Sequence, residues 1–280
     1  MPRLLAALLL GASAIAAAAT PQRIVTLAPN LAELVCAAGG CARLVAVSAW
    51  SDYPASVKAL PQIGDGFSFN YESLLAMRPD LVLAWSGGTP DEVVARLRAL
   101  HLRVEPVKVE GLDGVADALQ RIGGWLGTAA VADAAAQAYR ERLAALRARW
   151  KNASPVRVAY QIGSSPAYTV NGHSPISAAM ALCGGVNVFA GMDTLSGPVG
   201  AEAMLAAQPQ AVFYGGEENR AAIEAYWARL PGSTVEQRGT LYPVDADWLA
   251  RATPRLLDGV QQVCEGLDRA RAKLAAVHAR

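Results

Sequence analysis

Net charge is what this chain has least of. Its 25 Lys and Arg balance 24 Asp and Glu, leaving +1, and no run of basic residues interrupts the balance. Phosphate binding needs a clustered positive excess, so nucleic acid is not expected as a partner. Histidine is also scarce. His101, His173 and His278 are the whole complement, and none shares a local cluster with acidic residues, so no resident metal is expected. Cys-x-x-Cys spacing is absent, as are Gly-x-Ser-x-Gly, a Walker loop, and Gly-x-Gly-x-x-Gly after the first strand. These gaps remove the common zinc, hydrolase, nucleoside-triphosphate and dinucleotide signatures. A binding protein is therefore expected before an enzyme, with no cofactor of its own. Disorder is excluded by composition, because 53% of the residues are hydrophobic and only 18% are charged.

After the N-terminus, the longest stretch without Asp, Glu, Lys or Arg runs from Val158 to Met192. Pro166, Asn171-Gly172, Pro175 and Gly184-Gly185 break it into strand, loop and helix rather than a membrane span. The N-terminus itself has one cation, Arg3, then an apolar run from Leu4 to Ala19 ending in Ala17-Ala18-Ala19. This pattern predicts a signal peptide over residues 1–19, with cleavage near Thr20. Export permits disulfides. The four cysteines, Cys36, Cys41, Cys183 and Cys264, allow three pairings. Cys36–Cys41 and Cys183–Cys264 are favoured, the first closing a loop across Gly39-Gly40. In the chain-entropy model they contribute roughly 2 and 4.5 kcal/mol.

What is present is a strand–helix alternation, which predicts an α/β fold. Strands are expected at Arg23–Leu27, Leu44–Ser48, Leu81–Trp85 and Val104–Val107. Helices are expected at Asn30–Ala38, Tyr71–Ala76, Asp91–Leu100 and Leu112–Leu126. The rhythm then changes. From Ala129 to about Lys151 there is no Gly or Pro, and Tyr139, Leu143, Leu146 and Trp150 fall on one face of a helix roughly 33 Å long. A second α/β series follows. Glu72–Leu83 aligns with Glu202–Phe213 at a constant offset of 130 residues, each leading to a Gly-Gly pair. The expected architecture is two related α/β lobes, 20–128 and 153–280, joined by one backbone helix at 129–152.

Aromatics are only 6% of the chain, yet they gather where strands end. Trp85 closes one strand, Trp50 and Tyr53 follow another, and Phe67 and Phe69 lie in a Gly-rich loop. Tyr168 lies in the loop after Val156–Ile162, and Trp248 follows Leu241–Val244 beside Asp245, Asp247 and Arg251. Ligands of open α/β sheets bind beyond the carboxyl ends of strands, and aromatic edges there suit a large, flat, partly apolar ligand. Each aromatic alone fits core packing as well; the shared position carries the reading. Glu72 and Glu202 open helices at equivalent points of the repeat. The plain reading is helix-dipole stabilisation; the sharper one is a pair of acidic knobs matching a twofold partner with two basic pockets.

These residues bear a family likeness. Arg23–Asn30 with Glu33-Leu34, Ser51-Asp52-Tyr53-Pro54, Pro79–Gly88, Cys183-Gly184-Gly185, Asp247-Trp248 and Arg251–Arg255 resemble the periplasmic cobalamin-binding family that feeds ABC importers. That family lies within the helical-backbone (class III) substrate-binding proteins, and the likeness covers nearly all of residues 21–270. It implies a clamshell with little closure and a corrinoid held between the lobes. The matching cleft positions are Trp50, Trp85, Tyr168, Asp247, Trp248 and Arg251, with Phe67 beside them. It implies docking of Glu72 and Glu202 on arginines of the membrane subunits of the importer, a monomeric periplasmic protein, and the Cys183–Cys264 disulfide. Cobalamin would be its transported ligand. The chain departs from the family pattern at Gly66-Phe67 and at Leu195-Ser196, where relatives carry tryptophans, and in the added Cys36 and Cys41. The alternative on the same fold is a ferric siderophore or haem. A siderophore site is expected to use several cleft-facing basic residues, and Arg251 is the one that stands out.

Overall fold

A computed structural model describes residues 19–65, 68–216 and 219–278. The expected signal peptide and Phe67 lie outside the described residues, apart from Ala19 at the edge of the former.

The first lobe is built on β1 (Ile24–Thr26), α1 (Pro29–Ala37), β2 (Leu44–Val47), α2 (Tyr71–Ala76), β3 (Leu81–Trp85), α3 (Asp91–Ala99), β4 (Val104–Val107) and α4 (Gly114–Leu126). Its sheet is parallel in the order β2-β1-β3-β4, with Ile24 beside Leu81 and Thr26 beside Leu83. The backbone helix, α5 (Ala129–Trp150), follows. The second lobe contains β5 (Val156–Gln161), β6 (Tyr168–Val170), α6 (Pro175–Leu182), β7 (Gly185–Asn187), β8 (Ser196–Pro198), α7 (Ala201–Ala207), β9 (Ala211–Gly215), α8 (Arg220–Ala228), β10 (Leu241–Val244), α9 (Ala246–Ala250) and α10 (Leu256–His278). Its main sheet, read as β7-β5-β9-β10, is also parallel. In both lobes the second strand flanks the first, and the third and fourth follow on the other side.

The 130-residue repeat extends to packing and backbone. Leu74 and Met204, one on α2 and one on α7, are both fully buried, as are Leu83 and Phe213 on the following strands. Arg78 and Gln208, each just before a proline, adopt φ of 45° and 44°. A residue in this left-handed region ends the helix, and the proline after it cannot resume one. Side-chain caps start helices. The Asn70 side chain accepts from Ser73 N at 2.9 Å to start α2, and Ser174 accepts from Ile176 N at 3.1 Å ahead of Pro175 to start α6.

The α5 stripe is buried as its spacing predicts: Tyr139, Leu143, Leu146 and Trp150, with Ala132 and Ala136. It belongs to one apolar cluster that continues from Leu31 and Leu119 in the first lobe to Val158 and Leu257 in the second. Polar contacts fasten both sides. Tyr139 donates to Leu112 O at 2.8 Å, while Trp150 donates through Nε1 to Asp268 on α10 at 3.0 Å. The cysteines pair as Cys36–Cys41 and Cys183–Cys264, with Cα separations of 4.0 and 5.1 Å. Among the described residues no helix is long and apolar enough to cross a membrane.

One expectation changes. Tyr168 is not in a loop: it opens β6, which pairs antiparallel with β8 through Tyr168 and Pro198. Its three-residue run is too short for a periodic signal, and its partner is remote in sequence.

Candidate ligand-binding cleft

Parallel strands deliver their carboxyl ends to one edge of each sheet, and the two edges face each other. Arg251, just after α9 in the second lobe, donates through Nη2 to the Trp50 carbonyl at 3.2 Å and through Nη1 to Asp52 at 2.5 Å. Trp50 and Asp52 lie just beyond β2 in the first lobe. The space between these edges is where a ligand would sit. A hollow of about 540 Å³ along β10 and α9 touches Asp245 and Asp247. Another, of about 530 Å³, is lined by Arg157, Gln208, Trp227 and Arg238 at the amino ends of β5 and β9, away from the cleft.

In the first lobe, Trp85 is half-buried and ends β3. Its backbone is fixed by the turn that follows: Trp85 N donates to Thr89 Oγ1 at 3.0 Å, and its carbonyl accepts from Thr89 N at 2.8 Å. Gly88 lies against the indole so closely that an added Cβ would come within 2.0 Å of the ring. Trp50 is the opposite case. The residue is 77% exposed, and its φ of 67° is unusual for a bulky residue. Such a conformation costs on the order of 1–3 kcal/mol and needs support from its surroundings. That support includes Ala49 N to Gly64 O at 2.7 Å, the Ser48–Ser51 hydroxyl contact at 3.2 Å, and Arg251 on the Trp50 carbonyl.

The second lobe answers with a recess. By the 130-residue repeat, Gly215 stands where the first lobe has Trp85. Gly215, Ala246 and Ala250, with Tyr160, Ile162, Ile176, Tyr214 and Ile223, bound a mainly apolar cavity of about 250 Å³. A side chain at Gly215 would meet Ala246 Cβ at 2.9 Å and the Tyr160 hydroxyl at 3.1 Å. Burial, with the charge of Asp245 in the same direction, pushes the Tyr160 phenol up to about 12, so it stays neutral. Ile162 and Tyr168 are exposed beside this recess. Trp248 is half-buried on α9, and its backbone N–H donates to the Asp245 carboxylate at 3.0 Å. Asp245 thus serves as the helix cap. One cleft wall is therefore an indole platform and the other an apolar hollow.

Arg251 has other partners as well. It reaches Asp247 at 2.9 Å and Glu33 at 3.4 Å. Arg255 forks onto Glu33 through Nε at 3.0 Å and Nη2 at 2.5 Å, and its guanidinium lies 4.0 Å over the Tyr53 ring. Burial pushes the Asp52 carboxyl up, but the hydrogen bond and charge of Arg251, with the charge of Arg255, outweigh it and hold Asp52 below its ordinary value. Sequence reasoning assigned no role to Glu33, Asp52 or Arg255. One signal was available: Glu33 is the lone charge in the apolar run Pro29–Ala37.

Glu72 and Glu202 occupy first turns of α2 and α7 and are exposed. Each helix runs back antiparallel to the strand after it, so its N-terminus lies at the cleft end of its lobe. Neither glutamate forms an ion pair with a described residue. Among the described residues no group of three or more His, Cys, Asp or Glu is placed to hold a metal ion.

Two equivalent α/β lobes, a shared backbone helix and an aromatic cleft between facing strand ends define a two-lobed substrate-binding protein. The chain belongs to the periplasmic binding protein family, whose model matches residues 24–225. It is 36% identical over 245 residues to a vitamin B12-binding protein of Vibrio cholerae serotype O1, covering 87% of this chain and 88% of that one. It is 34% identical over 266 residues to a vitamin B12-binding protein of Yersinia pestis, covering 95% and 92%. The crystal structure of the periplasmic vitamin B12-binding protein of Vibrio cholerae matches with a TM-score of 0.84 at 35% identity, covering 90% of this chain and 98% of that one. A periplasmic haem-binding protein from Pseudomonas aeruginosa matches with a TM-score of 0.76 at 28% identity, covering 88% and 92%.

Proposed function

We propose that this protein captures cobalamin or a related corrinoid between its lobes and delivers it to the membrane subunits of an ABC importer. What carries the reading is identity of 34–36% to vitamin B12-binding proteins along almost the whole chain. The cleft supports it. A flat macrocycle stacks on Trp85 and Trp50, and a substituent projecting from its other face enters the recess at Gly215. Tyr168, Trp248 and Asp247 border the same space; Phe67, outside the described residues, joins this set through the family likeness alone. The leader at residues 1–19 takes the protein to the periplasm, where lobes 20–128 and 153–280, held by the helix at 129–152, work as a monomer. Glu72 and Glu202 dock on the importer, one per membrane subunit. The mechanism is capture, docking and release, without bond chemistry in the ligand.

The test is calorimetric titration of the protein without its leader with cyanocobalamin, and with cobinamide in parallel. One-to-one binding of cyanocobalamin is expected, and Trp85→Ala should weaken it by about tenfold or more, the loss of one buried aromatic contact. Heat from neither corrinoid would sink the reading. Haem is the second reading, favoured by the 28% identical haem-binding structure and by the exposed phenol of Tyr168 at the cleft, a residue type that ligates haem iron. Haem titration in the same series, with Tyr168→Phe, decides between them.

A further inference from the structure

Glu33 is a carboxylate in an apolar place. Its side chain is 2% exposed, on a helix whose neighbours Leu31, Ala32, Leu34 and Val35 are fully buried. A buried charge is tolerated only when paired. Among the described residues the cations that reach it are Arg251 and Arg255, and both come from the other lobe. The pairing therefore holds only while the lobes keep their present spacing. Parting them by a few ångströms would strand a carboxylate to which no described residue of its own lobe provides a counter-charge. Arg251, held by Glu33 and Asp52, also grips the carbonyl of Trp50, the cleft aromatic with the left-handed backbone.

We propose that Glu33 is a positioning residue: through Arg251 and Arg255 it sets the spacing of the lobes in the ligand-free protein and, through Arg251, holds Trp50 in its ligand-facing conformation. The cleft is then organised before the ligand arrives, which lowers the cost of binding. Arg251 acts first as a tie between lobes, and only second as a ligand contact. The effect on ligand affinity rests on the corrinoid reading above; the effect on lobe spacing does not.

Two measurements test this. Spin labels at Glu92→Cys on α3 and Ala228→Cys on α8, both exposed, report the distance between lobes without ligand. The starting protein should give one narrow distance distribution, and Glu33→Gln, which keeps shape and removes charge, should give a broadened or shifted one. Arg255→Gln, at a less buried position, should do the same and decides the matter where Glu33→Gln does not fold. An unchanged distribution in the folded variants overturns the proposal. In the second measurement, Glu33→Gln should weaken cyanocobalamin binding by about tenfold, but by under about threefold when Trp50 is already Ala, because coupled residues are non-additive. Equal losses in both backgrounds would refute the link to Trp50. If cyanocobalamin does not bind the unmodified protein, the corrinoid reading fails, while the label distances still judge the tie between lobes.

Discussion

Trp85 owes its orientation to a residue with no side chain. Gly88 allows the turn after β3 to fold flat against the indole, and a Cβ there would overlap the ring at 2.0 Å. The nearest atoms to that Cβ are all in the indole ring, so the ring must move. Gly88→Val is therefore expected to weaken corrinoid binding nearly as much as Trp85→Ala, by about tenfold, although Gly88 need not touch ligand. Titration of both variants checks it; wild-type affinity in Gly88→Val would show that the indole does not depend on this cradle. At this scale the sequence is legible in part. Aromatics at the ends of apolar strands point to the cleft, because a strand's carboxyl end is recognisable from its own residues. The partners of Arg255 are not legible that way. Glu33 lies 222 residues away, and only the folded lobes bring the two together.

The two short helices α2 and α7 carry the docking proposal, and the repeat matches them in the buried Leu74 and Met204, in a first-turn glutamate and in left-handed exit. Their glutamates face solvent at first turns without a described counter-charge, so they serve the fold only through the helix dipole, worth about 0.3–1 kcal/mol each. Replacing both by Lys should leave folding and corrinoid titration nearly intact while abolishing importer-dependent uptake. Uptake at the normal rate in the double variant Glu72→Lys, Glu202→Lys would remove the docking role. Elements of this kind were readable because the 130-residue repeat pairs them and Pro79 and Pro209 follow them, and β3, β4 and α2 fall where their patterns place them. The β6–β8 ribbon and β7 were not readable, since each strand has three residues and depends on distant pairing. The five-residue α9 was missed for the same reason of length, although its cap, Asp245, was visible as an acidic residue before Trp248.

At the scale of the whole molecule, two of the arginine–aspartate contacts that tie separate bodies together hold a carboxyl below its ordinary pKa, and both respond to acid in the same direction. Asp113, at the start of α4, takes both its oxygens to Arg147 of α5 at 2.9 and 2.6 Å. That hydrogen bond, opposed by burial and helped by the charge of Arg147, holds the carboxyl below its ordinary value. Asp52 is lowered too, by Arg251 and Arg255 against the opposing effect of burial. A carboxyl whose folded pKa is depressed binds its proton more readily when unfolded. Its stabilisation is complete above the unfolded pKa, about 3.9 for Asp, and is lost as pH falls through the folded value. Both carboxylates remain partly exposed, at 64% and 43% for their side chains, so solvent screening keeps each effect small. The melting temperature should therefore hardly change through these two groups between pH 7 and 5, and should fall below about pH 4. Asp52→Asn with Asp113→Asn should lower stability at pH 7 and flatten that acid decline, because neither site then has a proton to gain. Calorimetric melting at pH 7, 5 and 3 measures both. An acid decline as steep in the double variant as in the parent would mean that other carboxylates govern it, and that these two ties contribute nothing measurable to holding the lobes on their shared helix.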